Sequence, residues 1–239
     1  MPGTEKRWFE TFADELWLRP DDVGEAEAHF IRRALRLRKG RRVLDAPCGA
    51  GRIAVHLAKA GLAVTGVDLR PQFLRRARVR FRHEGLPGTF QTLDLRRLDF
   101  EEEFDGICNW QGSFGYFSDE ENADLVRRYA RALRKGGRLL IDQVNREFVL
   151  RHFRSSQTSE GVTMDNRWDP SSLRIKSVWV KHAGGPAKKN LVSIRLYTPT
   201  EMTALFEDAG LRVTRMYGSF LGDHYRRGSN RMIVVGKRR

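Results

Sequence analysis

Between residues 41 and 145, short apolar runs alternate with longer amphipathic ones, and this alternation limits the fold more than any other feature of the chain. Residues 41–46 (RRVLDA), 62–68 (LAVTGVD), 88–94 (GTFQTLD), 104–110 (FDGICNW) and 138–145 (RLLIDQVN) read as strands. Helices are expected between them. Residues 48–61 form a loop entering a helix that stops at Gly61. Residues 71–84 open on Pro71, and residues 119–137 end in glycines. Proline costs nothing at a first helical position, where its missing N–H is not needed. Glycine closes helices by taking the left-handed conformation. Strands separated by helices of this length pair in parallel through right-handed crossovers. The expected class is therefore α/β, with a doubly wound sheet.

The flanks follow other periods. Residues 8–38 read as helical, broken at Pro20 and anchored by Trp8, Phe9, Phe12, Leu16, Phe30, Ile31 and Leu35. Beyond Asn145, residues 161–168, 173–182 and 190–197 alternate polar and apolar. Turn signals at Asp169-Pro170-Ser171 and Gly184-Gly185-Pro186 separate them. That period of two predicts an antiparallel meander. A helix over 200–209, capped by Thr198 or Thr200 and stopped by Gly210, precedes two closing strands at 211–217 and 231–238. The expected organisation is an N-terminal helical cap (1–40), a ligand-binding core (41–145), an inserted antiparallel β lid (146–197) and the rest of the core (198–239).

A chain of 239 residues suits one α/β domain with an elaboration. It contains no apolar run of 18 residues and no apolar signal core at its start, so no membrane association and a cytoplasmic location are expected. The two cysteines, Cys48 and Cys108, suit a reducing compartment. They are too isolated for zinc, and no metal is expected. The net charge of +14 raises a polyanion such as RNA as a partner. The basic residues are spread along the whole chain, which a solvated arginine-rich surface explains better than a dedicated nucleic-acid surface does.

The chemistry sits in the first strand–loop–helix unit. Asp45 ends a strand, and Gly49 and Gly51 follow in a loop that opens a helix, whose N-terminus offers unpaired N–H groups. Asp68 ends the next strand, 17 residues after Gly51, where a carboxylate can accept from both ribose hydroxyls. Together these encode a nucleoside site. Gly49-x-Gly51-x-x-Ala54 also matches a dinucleotide fingerprint, which would make the chain a nicotinamide-dependent oxidoreductase. Four features oppose that choice. Asp45 would repel a pyrophosphate, yet it suits the ammonium of an amino acid. Asp94 ends the third strand as a partner for an adenine amine. The closing strand pair adds an antiparallel strand to a parallel sheet. There is neither a second dinucleotide half nor a Tyr-x-x-x-Lys pair.

The segment Leu44-Asp45-Ala46-Pro47-Cys48-Gly49-Ala50-Gly51-Arg52 resembles the first motif of class I S-adenosylmethionine-dependent methyltransferases, in the Leu-Asp-x-x-Cys-Gly-x-Gly-Arg form of small bacterial enzymes. Pro47 stands where many relatives place the first loop glycine. Gly66-Val67-Asp68-Leu69-Arg70-Pro71 is similar to the family's ribose motif and Leu93-Asp94-Leu95 to its adenine motif. The likeness continues through Phe104-Asp105, Ser113–Tyr116, Leu133–Leu140, Tyr197-Thr198-Pro199 and Ala209-Gly210-Leu211.

The resemblance implies a seven-stranded Rossmann-like sheet with its last strand antiparallel, and a meander serving as substrate lid. It implies S-adenosylmethionine as cofactor and S-adenosylhomocysteine as product. The backbone of Ala46, Gly49 and Gly51 would lie against the methionine and ribose, and Arg52 is a further cofactor-binding candidate. Asp45 would hold the loop and receive the ammonium through water. Asp68 would take the ribose diol and Leu69 would stack beside adenine. Asp94 would accept from the adenine amine, and the Leu95 N–H would donate to the ring. Asn109, Trp110 and Gln111 would line the sulfonium side. Tyr116, His152 and His224 are candidate bases, and Trp8, Phe12, Tyr116 and Tyr197 candidate substrate contacts. The implied activity is methyl transfer to N or O of a small molecule, by a monomer or a dimer. The alternatives are an RNA methyltransferase, an NAD(P)-dependent oxidoreductase and a non-catalytic cofactor-binding protein. Asn109-Trp110-Gln111-Gly112 lacks the Pro-Pro-aromatic box of enzymes that methylate a base amine.

Overall fold

The computed structural model describes residues 22–159, 161–181 and 188–239. The expected helical segment over 8–21, with Trp8 and Phe12, lies outside them. The helices are α1 (Gly24–Ala34), α2 (Arg52–Lys59), α3 (Pro71–His83), α4 (Asp119–Ala132), α5 (Arg146–Arg151) and α6 (Pro199–Asp208). The first five strands are β1 (Arg42–Asp45), β2 (Ala63–Asp68), β3 (Thr89–Thr92), β4 (Phe104–Asn109) and β5 (Leu133–Val144). They are followed by β6 (Ser156–Ser159), β7 (Val162–Asp169), β8 (Arg174–Lys181), β9 (Lys188–Arg195), β10 (Leu211–Tyr217) and β11 (Arg231–Arg238).

Seven strands form one sheet in the order β10-β11-β5-β4-β1-β2-β3. β1 to β5 run parallel, and β11 runs antiparallel to both β5 and β10. Helices cover both faces because the central strands are apolar on both. Val43 packs with Ile31, Leu57 and Leu74 from α1, α2 and α3. Its neighbour Leu44 points the other way, to Val126 and Tyr129 of α4 and Phe206 of α6. Capping boxes start α4 (Ser118 with Glu121) and α6 (Thr198 with Glu201), so Thr198 is the cap of the two candidates. No helix among the described residues is long and apolar enough to cross a membrane.

The second sheet is antiparallel, in the order β6-β7-β8-β9. β7 to β9 fall on the three alternating segments of the sequence. β6 and α5 were not expected. All four residues of β6 are exposed, so no apolar alternation marks it. Helix α4 stops at Ala132 and not near 137. The strand begins early because Gly136 takes φ +80° and Gly137 packs against the Arg134 and Phe104 carbonyls, where a Cβ would come within 2.9 and 3.1 Å.

Candidate functional site

The strand order reverses between β1 and β4, and a ligand crevice is expected at such a switch point, outside the carboxyl ends of the strands. Asp45 sits there, level with Gly66 of β2 and Cys108 of β4. The loop after Asp45 is pinned to β2. The Cys48 N–H donates to the Val67 carbonyl at 2.9 Å, and the Gly49 N–H donates to Asp68 Oδ2 at 2.9 Å. Gly51 then opens α2 at φ +76°, and a Cβ there would approach the Ala77 Cβ to 3.0 Å. The position needs glycine for its conformation and for its contact with α3.

A cavity of about 420 Å³ opens at this crevice. Asp68, 7% exposed, uses its two oxygens on the N–H groups of Gly49 and Arg70, both at 2.9 Å. Each oxygen keeps a further lone pair for a ligand hydroxyl. Burial raises its pKa against those two hydrogen bonds. Asp45 is 2% exposed; its Oδ1 takes the Cys108 thiol at 3.6 Å and its Oδ2 has no hydrogen-bond partner. Burial pushes its pKa up to about 7, with Cys108 and Arg52 pulling down and Asp68 pushing up. Burial also pushes the thiols of Cys48 and Cys108 upward.

Arg52 is held by Glu27 of α1, with Nη2 at 2.5 Å from the carboxylate, while its Nη1 is buried without a partner. One wall therefore carries an unsatisfied carboxylate oxygen and an unsatisfied guanidinium N–H. Buried orphans of both kinds are rare and suit a bound group of mixed charge. Glu27 had no signal in the sequence, since its partner lies 25 positions away.

Asp94 caps the 3-10 turn Leu95–Arg97 by accepting from the Arg96 N–H at 3.0 Å, and it also pairs with the Arg96 guanidinium. Leu69, Asp94 and Leu95 all line the cavity, as do Gly49, Arg52, Trp110, Gln111 and Tyr116. Ala46, Gly51 and Asn109 stand behind the wall. The Ala46 carbonyl accepts from the Tyr129 hydroxyl at 2.9 Å, and that hydroxyl receives Asn109 Nδ2 at 3.1 Å.

Three candidates are not brought to the cavity. His152 is exposed at the end of α5, with Nδ1 against the Phe148 carbonyl at 2.9 Å. His224 is exposed beside Arg215 in the loop before β11. Tyr197 is buried against Phe114, with ring centroids 5.5 Å apart, and burial pushes its pKa up to about 12.

The remaining wall was read only in part from the sequence, which offered Trp110, Gln111, Tyr116 and the meander as a lid, but not Gln143, Val144, Trp179, Val192 or Ile194. It comes from the loop after β4, from Gln143 and Val144 of β5, and from Trp179, Val192 and Ile194 of β8 and β9. Arg174 of β8 fixes that loop by donating to the Gly115, Tyr116 and Phe117 carbonyls at 3.2, 3.3 and 2.8 Å. Gly115 sits at φ +96°, and a Cβ would lie 2.5 Å from the Arg195 carbonyl. Gly115→Ala is therefore expected to cost about 1–3 kcal/mol through strain and displaced packing, measured by denaturant unfolding.

A family model described as a methyltransferase domain matches residues 43–137. The cypemycin N-terminal methyltransferase of a Streptomyces species is 29% identical over 210 residues, covering 83% of this chain and 84% of that protein. Of four further curated relatives, the chain matches only 37–39% of their length. The CcbJ methyltransferase of Streptomyces caelestis superposes with a TM-score of 0.78 at 18% identity, over 95% of this chain and 99% of that one. The sugar N-methyltransferase KedS8 of a Streptoalloteichus species gives 0.71 at 24% identity, over 95% and 93%. At such identities these two structures share the fold.

Proposed function

We propose that the chain is a class I S-adenosylmethionine-dependent methyltransferase and that it moves a methyl group to N or O of a small molecule. One observation carries the reading. The unsatisfied Asp45 Oδ2 and Arg52 Nη1 share a cavity with Asp68, and that cavity continues to the second sheet. The donor set fits the cofactor. Asp45 meets the ammonium, Arg52 the carboxylate and Asp68 the ribose hydroxyls. Leu69 packs beside the adenine, with Asp94 and the Leu95 N–H at its polar edge. Bound S-adenosylmethionine supplies a methyl already activated by its sulfonium sulfur. Trp110 and Gln111 then wall the reacting side, and Tyr116 and the second sheet exclude water and orient the acceptor. Positioning of this kind supplies roughly 7–11 kcal/mol of barrier lowering.

Two of the three relatives named above support a small acceptor: one is a cypemycin N-terminal methyltransferase and one a sugar N-methyltransferase. Calorimetry should detect S-adenosylhomocysteine and not NADH; tight NADH binding would replace the cofactor class. Labelled transfer should then mark a metabolite extract and leave total RNA unlabelled. Label in RNA that vanishes at high salt would move the proposal to a polyanion.

A further inference from the structure

The cavity is divided by charge. Its charged lining side chains are Asp45, Arg52, Asp68, Arg70, Arg80 and Asp94, all from the half built by residues 45–95. The other half comes from the loop after β4, the end of β5 and strands β8 and β9. Among the described residues it contains no Asp, Glu, Lys, Arg or His. That neutrality stands out in a chain with 74 charged residues, 44 basic and 30 acidic. Its walls are rings and branched aliphatics: Phe114, Tyr116, Phe117 and Trp179, with Val192 and Ile194 side by side on one face of β9. An ion entering such a space loses its hydration and gains no counter-charge.

Two buried polar atoms of residues lining this half have no hydrogen-bond partner, the Trp110 indole N–H and Gln143 Oε1, and the second is the acceptor. Gln143 is 1% exposed, and its Nε2 donates to the Arg195 carbonyl at 2.9 Å. A carbonyl only accepts, so this bond decides which end of the amide is nitrogen. The Arg195 backbone is itself anchored. Its N–H donates to the Gly115 carbonyl at 2.8 Å, and its guanidinium pairs with Glu201 at 2.7 Å. Gln143 Oε1 is left with no partner. A buried acceptor without a donor is costly, and a ligand N–H removes that cost.

We propose that the methyl acceptor is an uncharged, ring-bearing primary or secondary amine whose N–H is received by Gln143 Oε1. The proposal rests on the methyl-transfer reading above. It makes a general base unnecessary, the candidate Tyr116 included. The neutral amine's lone pair forms the new N–C bond as the methyl's bond to sulfur breaks with its electron pair. The nitrogen becomes cationic and gives its proton to water after leaving. A hydroxyl acceptor would need its proton removed during attack, and among the described residues no carboxylate or histidine lines this half. With one N–H held by Gln143, the lone pair is left to face the methyl.

The test uses three probes on one ring: aniline, benzoate and phenyltrimethylammonium, titrated by ligand-observed NMR into protein saturated with S-adenosylhomocysteine. Aniline should bind at least about tenfold more tightly than either ion. Gln143→Met keeps length and volume but removes the acceptor, and should weaken aniline by about five- to tenfold with S-adenosylhomocysteine affinity unchanged. Trp179→Ala, on the facing sheet, should also weaken aniline alone, and retained S-adenosylhomocysteine binding reports that each variant is folded. Equal or tighter binding of either ion overturns the proposal. So does aniline binding that survives Gln143→Met, or no binding of any probe to the loaded protein. Failure of S-adenosylhomocysteine itself to bind would instead bring down the cofactor reading.

Discussion

Asp68→Ala should weaken S-adenosylhomocysteine binding by about 100-fold while changing the ligand-free protein much less. The two effects differ because the carboxylate does different work in each state. In the free protein Asp68 ties the N–H groups of Gly49 and Arg70, and burial opposes its charge strongly enough to raise its pKa. Removing it loses two hydrogen bonds and relieves a desolvated charge, terms of opposite sign. In the complex the same oxygens would also receive the two ribose hydroxyls. Charge-assisted bonds contribute about 1.5–3 kcal/mol each, and nothing offsets their loss. At ligand one hundred times the dissociation constant, wild type should gain about 2.7 kcal/mol, or roughly 5–10 °C in Tm. Asp68→Ala at that concentration should gain about 1 °C. A full shift in the variant would show that the ribose is held elsewhere.

Asp68 was legible because its position depends on the end of a strand, which hydrophobic patterning locates. The same holds for Asp45, for the glycine loop and for the parallel pairing of the first five strands. What the sequence hid depends on partners that arrive from distant segments. Gln143 is one polar residue ending an apolar strand until the Arg195 carbonyl, 52 positions later, fixes its amide. Alternation in β8 and β9 says that Trp179, Val192 and Ile194 belong to sheet faces. It does not say which face meets the cavity. Asp94 reads as a free acceptor for adenine, yet Arg96 two residues on pairs with it. His152 and His224 look like rim residues in the chain, and only the packed structure places them on the outer surface. Glycine pairs suggest a helix stop at Gly136 and Gly137, whereas here they lie within a strand.

Asp45 should make cofactor affinity depend on pH, with tight binding above about 7 and roughly tenfold weaker binding per unit below it. The sign follows from its surroundings. Burial without a partner for Oδ2 raises its pKa to about 7 from 3.8. Between those values the folded protein holds a proton that the unfolded chain has lost. Asp45 therefore subtracts stability as pH rises through that window, by up to about 4 kcal/mol once it is fully ionised. An ammonium brought to the carboxylate favours the ionised form, so binding below pH 7 must expel the proton and above pH 7 need not. The charged neighbours are Arg52 and Asp68; the thiols of Cys48 and Cys108 and the Tyr129 hydroxyl are pushed upward by burial and stay neutral. Calorimetry with S-adenosylhomocysteine from pH 5.5 to 8.5, in buffers of different ionisation enthalpy, measures both affinity and proton release. Asp45→Asn should flatten the profile and weaken binding at pH 8. 5′-Methylthioadenosine keeps the ribose and lacks the ammonium, so its affinity should be free of the Asp45 titration, separating this carboxylate from Asp68. A flat wild-type profile for S-adenosylhomocysteine would mean that its ammonium is met by another group, and that the Asp45 carboxylate serves the loop alone.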